Sequence, residues 1–278
     1  MNQVKQQNQF PSSREIIGET VSSLSLPKKI LTYAALVSRS LTEAFQSRVN
    51  RFAVKELYLY DLMKKAFAQG LSPKIKSVED KSRLSVAFDG GYLQNTTVNL
   101  RQEGSDLHVF SQILLEREYE PLVKLIQKKM SPEEVEFIVD AGANIGLTTI
   151  YLKSFFPQAK VITVEPDTGN FQLLTENVES NRLSDVHLLN AGIWQKEARL
   201  EIDRSFRDHL EWSMTLQEKP EAETESGGVQ GLSLSYIKEK FNFPRIDILK
   251  IDIEGGERFL FADEATAAQT LEAVRYLA

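Results

Sequence analysis

The stretch FIVDAGANIGLTTIYLKSFFPQAKVITVEPD, Phe137 to Asp167, leaves a folding chain few options. Phe137, Ile138 and Val139 make a short apolar run that stops at Asp140-Ala-Gly142-Ala-Asn144-Ile-Gly146, which reads as a buried strand feeding a tight turn. Leu147, Ile150, Tyr151 and the Phe155/Phe156 pair then recur at helical spacing until Pro157, ahead of a second apolar run from Val161 to Val164. That is a βαβ unit with parallel strands. Ligands of such sheets bind outside the carboxyl ends of the strands, where both the glycine turn and Glu165 fall. Gly142 and Gly146 let the backbone come close to a ligand, and the amides opening the helix point towards it.

The dinucleotide fingerprint G-x-G-x-x-G, started at Gly142, requires glycines at 144 and 147, where the chain has Asn144 and Leu147. The D-x-G-x-N-x-G turn instead resembles motif I of the S-adenosylmethionine-dependent methyltransferases, whose ligand has an amino acid end and no pyrophosphate. Glu165 ends the second strand, and its ionised carboxylate suits two ribose hydroxyls because it is acceptor-only with two oxygens.

The 278-residue chain is long enough for a substantial core, and its net charge of −6 argues against a general nucleic-acid binder. Without cysteine there are no disulfides, thiolate metal sites or cysteine nucleophiles. The N-terminus lacks a basic segment followed by an apolar stretch, and no run reaches membrane-spanning length, so a cytoplasmic protein is expected. Residues 1–82 read as a helical extension, with apolar residues from Ile30 to Met63 at helical spacing and Gly70 as the stop. From Arg83 to Leu100 the pattern alternates about Asp89-Gly90-Gly91, which predicts a β-hairpin. A helical stretch from Ser105 follows, then the βαβ unit. DVHLLNAGIW reads as the third strand, ARLEID as an added strand and residues 217–230 as a loop.

RIDILKIDIEGGERFLF contains a near-continuous apolar strand, Ile246 to Ile253, interrupted by Lys250 and Asp252 and closed by Glu254-Gly255-Gly256-Glu257. A lysine and several acids at the end of a buried strand are costly unless paired or used. EREYE, VDAGANIG, VEPD, NAGIW and DILKIDIEGGE, in this order and at these separations, resemble the FkbM family of methyltransferases from about Ser105 onwards. The resemblance implies an α/β, class I (Rossmann-like) domain over residues 83–278, a mostly parallel sheet with helices on both faces. It also implies methyl transfer from S-adenosyl-L-methionine, most often to a hydroxyl of a sugar, glycan or natural product. Carried over by position, Asp140, Gly142, Asn144 and Gly146 wrap the amino acid end. Glu165 holds the ribose, Asn190 and Ala191 lie near the adenine, and Asp252 and Glu254 stand beside the methyl group.

Asp252 is the first choice of base and Glu254 the second, with Lys250 tuning either by charge proximity. Glu118 and Tyr119, just before the cofactor domain, are placed to close over the cofactor; Tyr119 as a core residue is the alternative. Trp212 is expected to overhang the pocket or to pack, and His209 to lie on the surface. No metal is assigned, since a carboxylate-bound ion has no histidine in the motif to support it. A seven-stranded sheet is usual in such folds, whereas only VRYLA follows the last helix, so an incomplete sheet is expected. The other readings are an NAD-type oxidoreductase and a cofactor-binding module without catalysis. Neither the acceptor's identity nor the oligomeric state is written in the sequence.

Overall fold

The computed structural model of the protein describes residues 58–76, 82–102, 104–203, 215–218, 228–253, 256–262 and 264–278. The chain divides into two compact units, Met1–Pro73 and Lys74–Ala278. In the first, residues 58–68 are helical (α1), with Leu62, Met63 and Ala66 on its buried side. Gly70, at φ 74°, follows as the expected stop. Among the described residues no helix is long and apolar enough to cross a membrane.

Next along the chain is a three-stranded sheet in the order β1–β2–β3, formed by β1 (Pro73–Lys76), β2 (Arg83–Phe88) and β3 (Thr96–Arg101). β2 and β3 make the expected hairpin, pairing antiparallel from Arg83 with Arg101 to Phe88 with Thr96. The helical stretch after it is broken. α2 (Asp106–Phe110) runs into a π-helical turn, Ser111–Leu115, and α3 (Glu120–Gln127) starts afresh after Arg117 at φ 57°. Pro121 suits that restart, since its missing N–H falls in the first helical turn.

The central sheet has the order β12–β11–β4–β5–β6, all parallel: β4 (Phe137–Ala141), β5 (Lys160–Val164), β6 (Val186–Leu189), β11 (Ile246–Ile251) and β12 (Val274–Leu277). α4 (Leu147–Phe155) and α5 (Thr168–Ser180) are the crossovers from β4 to β5 and from β5 to β6. Both faces are covered, which is why these strands are almost unbroken apolar runs. Val139, Ala141, Ile162, Val164 and Leu249 share one face with Leu234 and Ile237 of α6 (Leu234–Phe241). Asp140 and Thr163 face the other way, towards Thr149 of α4. β11 leads on through α7 (Glu257–Leu260) and α8 (Glu264–Leu271) to β12, so the VRYLA segment forms its strand.

DVHLLNAGIW is two strands rather than one. β6 stops at Leu189, and β7 (Ala191–Ile193) pairs with β10 (Val229–Leu232) in a third sheet, order β7–β10–β8–β9, with β8 (Ala198–Asp203) and β9 (Thr215–Glu218). The break falls at Asn190, whose amide donates to the carbonyls of Glu165 (2.9 Å) and Pro166 (3.1 Å). The ends of the expected 217–230 loop belong to β9 and β10.

At the amino end of the central sheet, the wholly buried Asp247 ties three strands together. Its Oδ2 accepts from the amides of Glu136 (2.9 Å) and Phe137 (3.1 Å), and its Oδ1 meets Arg245 (2.7 Å) and Arg275 (3.1 Å). Removing that carboxylate strands two amides and two guanidinium groups. Both arginines are part-exposed, so we expect Asp247→Ala to cost about 2–3 kcal/mol in urea denaturation. An unchanged midpoint would show that the network carries no net stability.

Candidate functional site at the carboxyl ends of the strands

β5 and β6 lie to one side of β4 while β11 and β12 lie to the other, so the strand order reverses between β4 and β11. Open α/β sheets bind ligands at such a switch point. The turn after β4 occupies it. Its backbone is left-handed at every second residue, with φ 75° at Gly142, 51° at Asn144 and 85° at Gly146. The D-x-G-x-N-x-G spacing therefore places glycine, asparagine and glycine at the three positions that need a residue tolerant of positive φ. Space excludes a side chain as well. A Cβ on Gly142 would stand 1.8 Å from the Asp252 carbonyl oxygen, and one on Gly146 2.5 Å from Leu174 Cδ1.

Three side chains hold the turn. Lys250 of β11 is register partner to Asp140 of β4, and its Nζ donates to the carbonyls of Gly142 (2.6 Å) and Ala141 (3.3 Å). Asp140 Oδ1 meets the same ammonium as an ion pair at 3.3 Å, while Oδ2 accepts from Thr149 Oγ1 at 2.7 Å. Burial pulls the Lys250 pKa down, but the charges of Asp140, Tyr119 and Asp252 more than reverse this and raise it above its ordinary value. Glu165 is the second holder. Its Oε2 accepts from the Asn144 amide (2.8 Å), and its Oε1 from the amide of Asp167 (2.9 Å) and from Asn170 Nδ2 (3.4 Å). The third is Asn177 of α5, whose Nδ2 donates to the Ile145 carbonyl at 2.8 Å.

The expected site residues divide by depth. Asp140, Lys250, Glu165 and Ala191 are buried, Gly142 and Asn144 half-buried, and Asn190, Glu118 and Asp252 exposed. Asp140 lies beneath the turn, and its carboxylate is fully enclosed by protein. Among the described residues, Asn144 Oδ1 is buried without a hydrogen-bond partner. Tyr119 is half-buried within electrostatic reach of Lys250, Asp140 and Asp252, and burial foremost pushes its hydroxyl up to about 12. Glu257 Oε1 accepts from the Ile253 amide at 2.9 Å, an anchoring contact for the loop after β11. Glu254, His209 and Trp212 lie outside the described residues.

Thr149 and Asn177 are functional neighbours of the turn that carry only a faint signal in the sequence. Thr149 lies in the first turn of the helix after the glycine turn, where a lone hydroxyl is a weak cue. Asn177 and Asn181, four apart near the end of α5, were a stronger one, because asparagine inside a helix is unfavourable without a partner.

A parallel α/β domain with a glycine turn at its switch point and an acid ending the next strand is the architecture of a nucleotide-type cofactor binder. Residues 140–277 match the model of the Methyltransferase FkbM domain, and the relatives below likewise support an FkbM-family methyltransferase. It is 32% identical over 139 residues to "Methyltransferase 1" of Beauveria bassiana (strain ARSEF 2860), covering 44% of this chain and 55% of that protein. With "Methyltransferase sdnD" of Sordaria araneosa it shares 31% over 150 residues, 44% of this chain and 57% of that one. The chain thus spans just over half the length of these curated relatives. A crystal structure of the methyltransferase FkbM from Methylobacillus flagellatus KT aligns at 18% identity and a TM-score of 0.32, covering 51% of this chain and 31% of that one.

Glu165 gives the site a pH dependence. Burial raises its carboxyl pKa to about 7, against the lowering effect of the Asp167, Asn144 and Asn170 donors. The folded state then holds a proton that the unfolded chain releases near its ordinary value of 4.5, so stability falls as pH rises from there to about 7 and is level above. The loss is on the order of 3 kcal/mol. Denaturant midpoints of the wild type and Glu165→Gln across that window check this. The slope should vanish in the variant, and parallel curves would contradict the assignment.

Proposed function

We propose that this chain binds S-adenosylmethionine at the 142–146 turn and transfers its methyl group to a hydroxyl oxygen of a sugar, glycan or natural product. The observation that carries the reading is the alternating left-handed turn at the switch point, pressed against the Asp252 carbonyl with no room for a side chain at Gly142. The residues present fit that cofactor. Asn144 Oδ1 is a buried acceptor without a partner among the described residues, suited to an ammonium group such as that of the methionine end. Glu165 Oε2 receives a single amide and keeps a lone pair for a ribose hydroxyl. Asn190 and Ala191, at the break between β6 and β7, would flank the adenine, and Glu118 and Tyr119 would close over the site from the turn before α3. Asp140 would act from below, through the turn it supports.

When bound, S-adenosylmethionine supplies an electrophilic methyl on a sulfonium, already activated for transfer. The chain must then orient the acceptor and remove one proton. Asp252 is exposed at the carboxyl end of β11 beside Gly142, and its carboxylate would take the proton from the acceptor hydroxyl as that oxygen becomes nucleophilic. Glu254 is the second candidate. Lys250 is engaged by Asp140 and the carbonyls of Ala141 and Gly142, so it would influence Asp252 through its charge and not by contact with the acceptor.

An NAD-type reading needs a glycine where the chain has Leu147, which is buried in the core. Calorimetry with S-adenosylmethionine and, separately, with NAD decides between them. We expect heat and saturation from the first alone; binding of NAD without S-adenosylmethionine would overturn the proposal. Once an acceptor is in hand, Asp252→Asn should keep cofactor affinity and lower turnover by about a hundredfold. Full turnover in that variant from about pH 6 to about pH 9 would remove Asp252 as the base.

A further inference from the structure

Asn177 stands outside the cofactor contacts proposed above, yet it joins two parts of the domain that nothing in the sequence pattern connects. It is wholly buried on α5. Its Oδ1 accepts from the amide of Asn99 on β3 (2.7 Å), and its Nδ2 donates to the Asn99 carbonyl (3.1 Å) and to the Ile145 carbonyl (2.8 Å). Four residues on, Asn181 repeats the hairpin half of this arrangement. Its Oδ1 accepts from the Thr97 amide (2.7 Å), and its Nδ2 donates to the carbonyls of Thr97 (2.7 Å) and Asn177 (2.7 Å). β3 is the outer strand of its sheet, so two helix-borne amides stand in for a neighbouring strand along its open edge. Only the first of them reaches the cofactor turn.

Ile145 lies between two left-handed residues, Asn144 and Gly146, where its carbonyl belongs to no helix or strand ladder. A buried carbonyl in that position needs a donor, and the donor fixes the orientation of the peptide it serves. The same face of α5 carries Leu174, the side chain that crowds Gly146, so helix and turn meet through packing as well as through the amide. We infer that Asn177 is a positioning residue for the cofactor turn, and that through it the β2–β3 hairpin is part of the cofactor site. This rests on the proposed binding of S-adenosylmethionine at that turn.

Asn181 supplies the control. Asn177→Leu and Asn181→Leu each remove two hydrogen bonds to the β3 edge, but only Asn177→Leu frees the Ile145 carbonyl. Two readings are taken on the full chain, below the melting temperature of both variants. One is amide hydrogen exchange over residues 142–146 without ligand; the other is S-adenosylmethionine affinity by calorimetry. We expect Asn177→Leu to speed exchange in the turn and to weaken affinity about tenfold, with Asn181→Leu within about twofold of the wild type in both. Should Asn177→Leu fail to fold, Asn177→Asp and Asn181→Asp give the same comparison, since each keeps the acceptor and loses the donors. Equal effects in the two variants, or an unchanged turn in the Asn177 variant, overturn the inference while leaving the proposed function standing. A wild type that binds no S-adenosylmethionine overturns the function and this inference with it.

Discussion

The ammonium of Lys250 is a full charge buried between two strands of the central sheet, and a buried charge persists only when it is paired and hydrogen-bonded. Its partners are all on β4 or just past it: the carboxylate of Asp140 and the carbonyls of Ala141 and Gly142. Parallel pairing sets Lys250 opposite Asp140, and a slip of β11 by one residue would turn Lys250 into the opposite face, against Val139 and Ala141, and leave Asp140 without its cation. The pair thereby fixes the register of β4 against β11. It also fixes where the chain leaves β4, and so where the 142–146 turn meets the Asp252 carbonyl.

From that anchor the rest of the turn is determined link by link. Asp140 is steadied by Thr149 on the helix that the turn itself begins, Asn144 by Glu165 at the end of the neighbouring strand, and Ile145 by Asn177 on the helix after it. Each of the three strand or helix neighbours of the turn thus contributes one polar group. The backbone that would face a ligand is held from behind. Asp252, Asn190 and Glu118 are exposed, with the Asn190 amide held by the carbonyls of Glu165 and Pro166.

The βαβ unit was legible because its two strands are buried on both faces and its helix carries a clear apolar stripe, so period and punctuation agree. The hairpin was legible from alternation about Asp89-Gly90-Gly91. The break at Asn190 was not, because β6 and β7 are both apolar and their different sheet partners are decided by residues some forty positions away, in β10. The interruption at Arg117 escaped for a related reason: the helical period continues through it, and only the left-handed backbone reveals the stop. In the site, glycines and acids at strand ends were readable as types, whereas their division of labour was not. Asp140 read as wrapping the amino acid end of the cofactor and Lys250 as tuning the nearby acids by its charge; strand register sets the two opposite each other, and Asn177 acquires its role only from three-dimensional proximity to Asn99 and Ile145.

The central claim is that the 142–146 turn is the cofactor site. Amide resonances followed while S-adenosylhomocysteine is titrated into the full chain test it most directly. The account predicts that Gly142, Asn144, Gly146 and Glu165 shift first and most, saturating together, while amides at the opposite end of the sheet around Glu136 and Asp247 stay in place. Saturable shifts confined to that opposite end, or spread without focus on the turn, would contradict it.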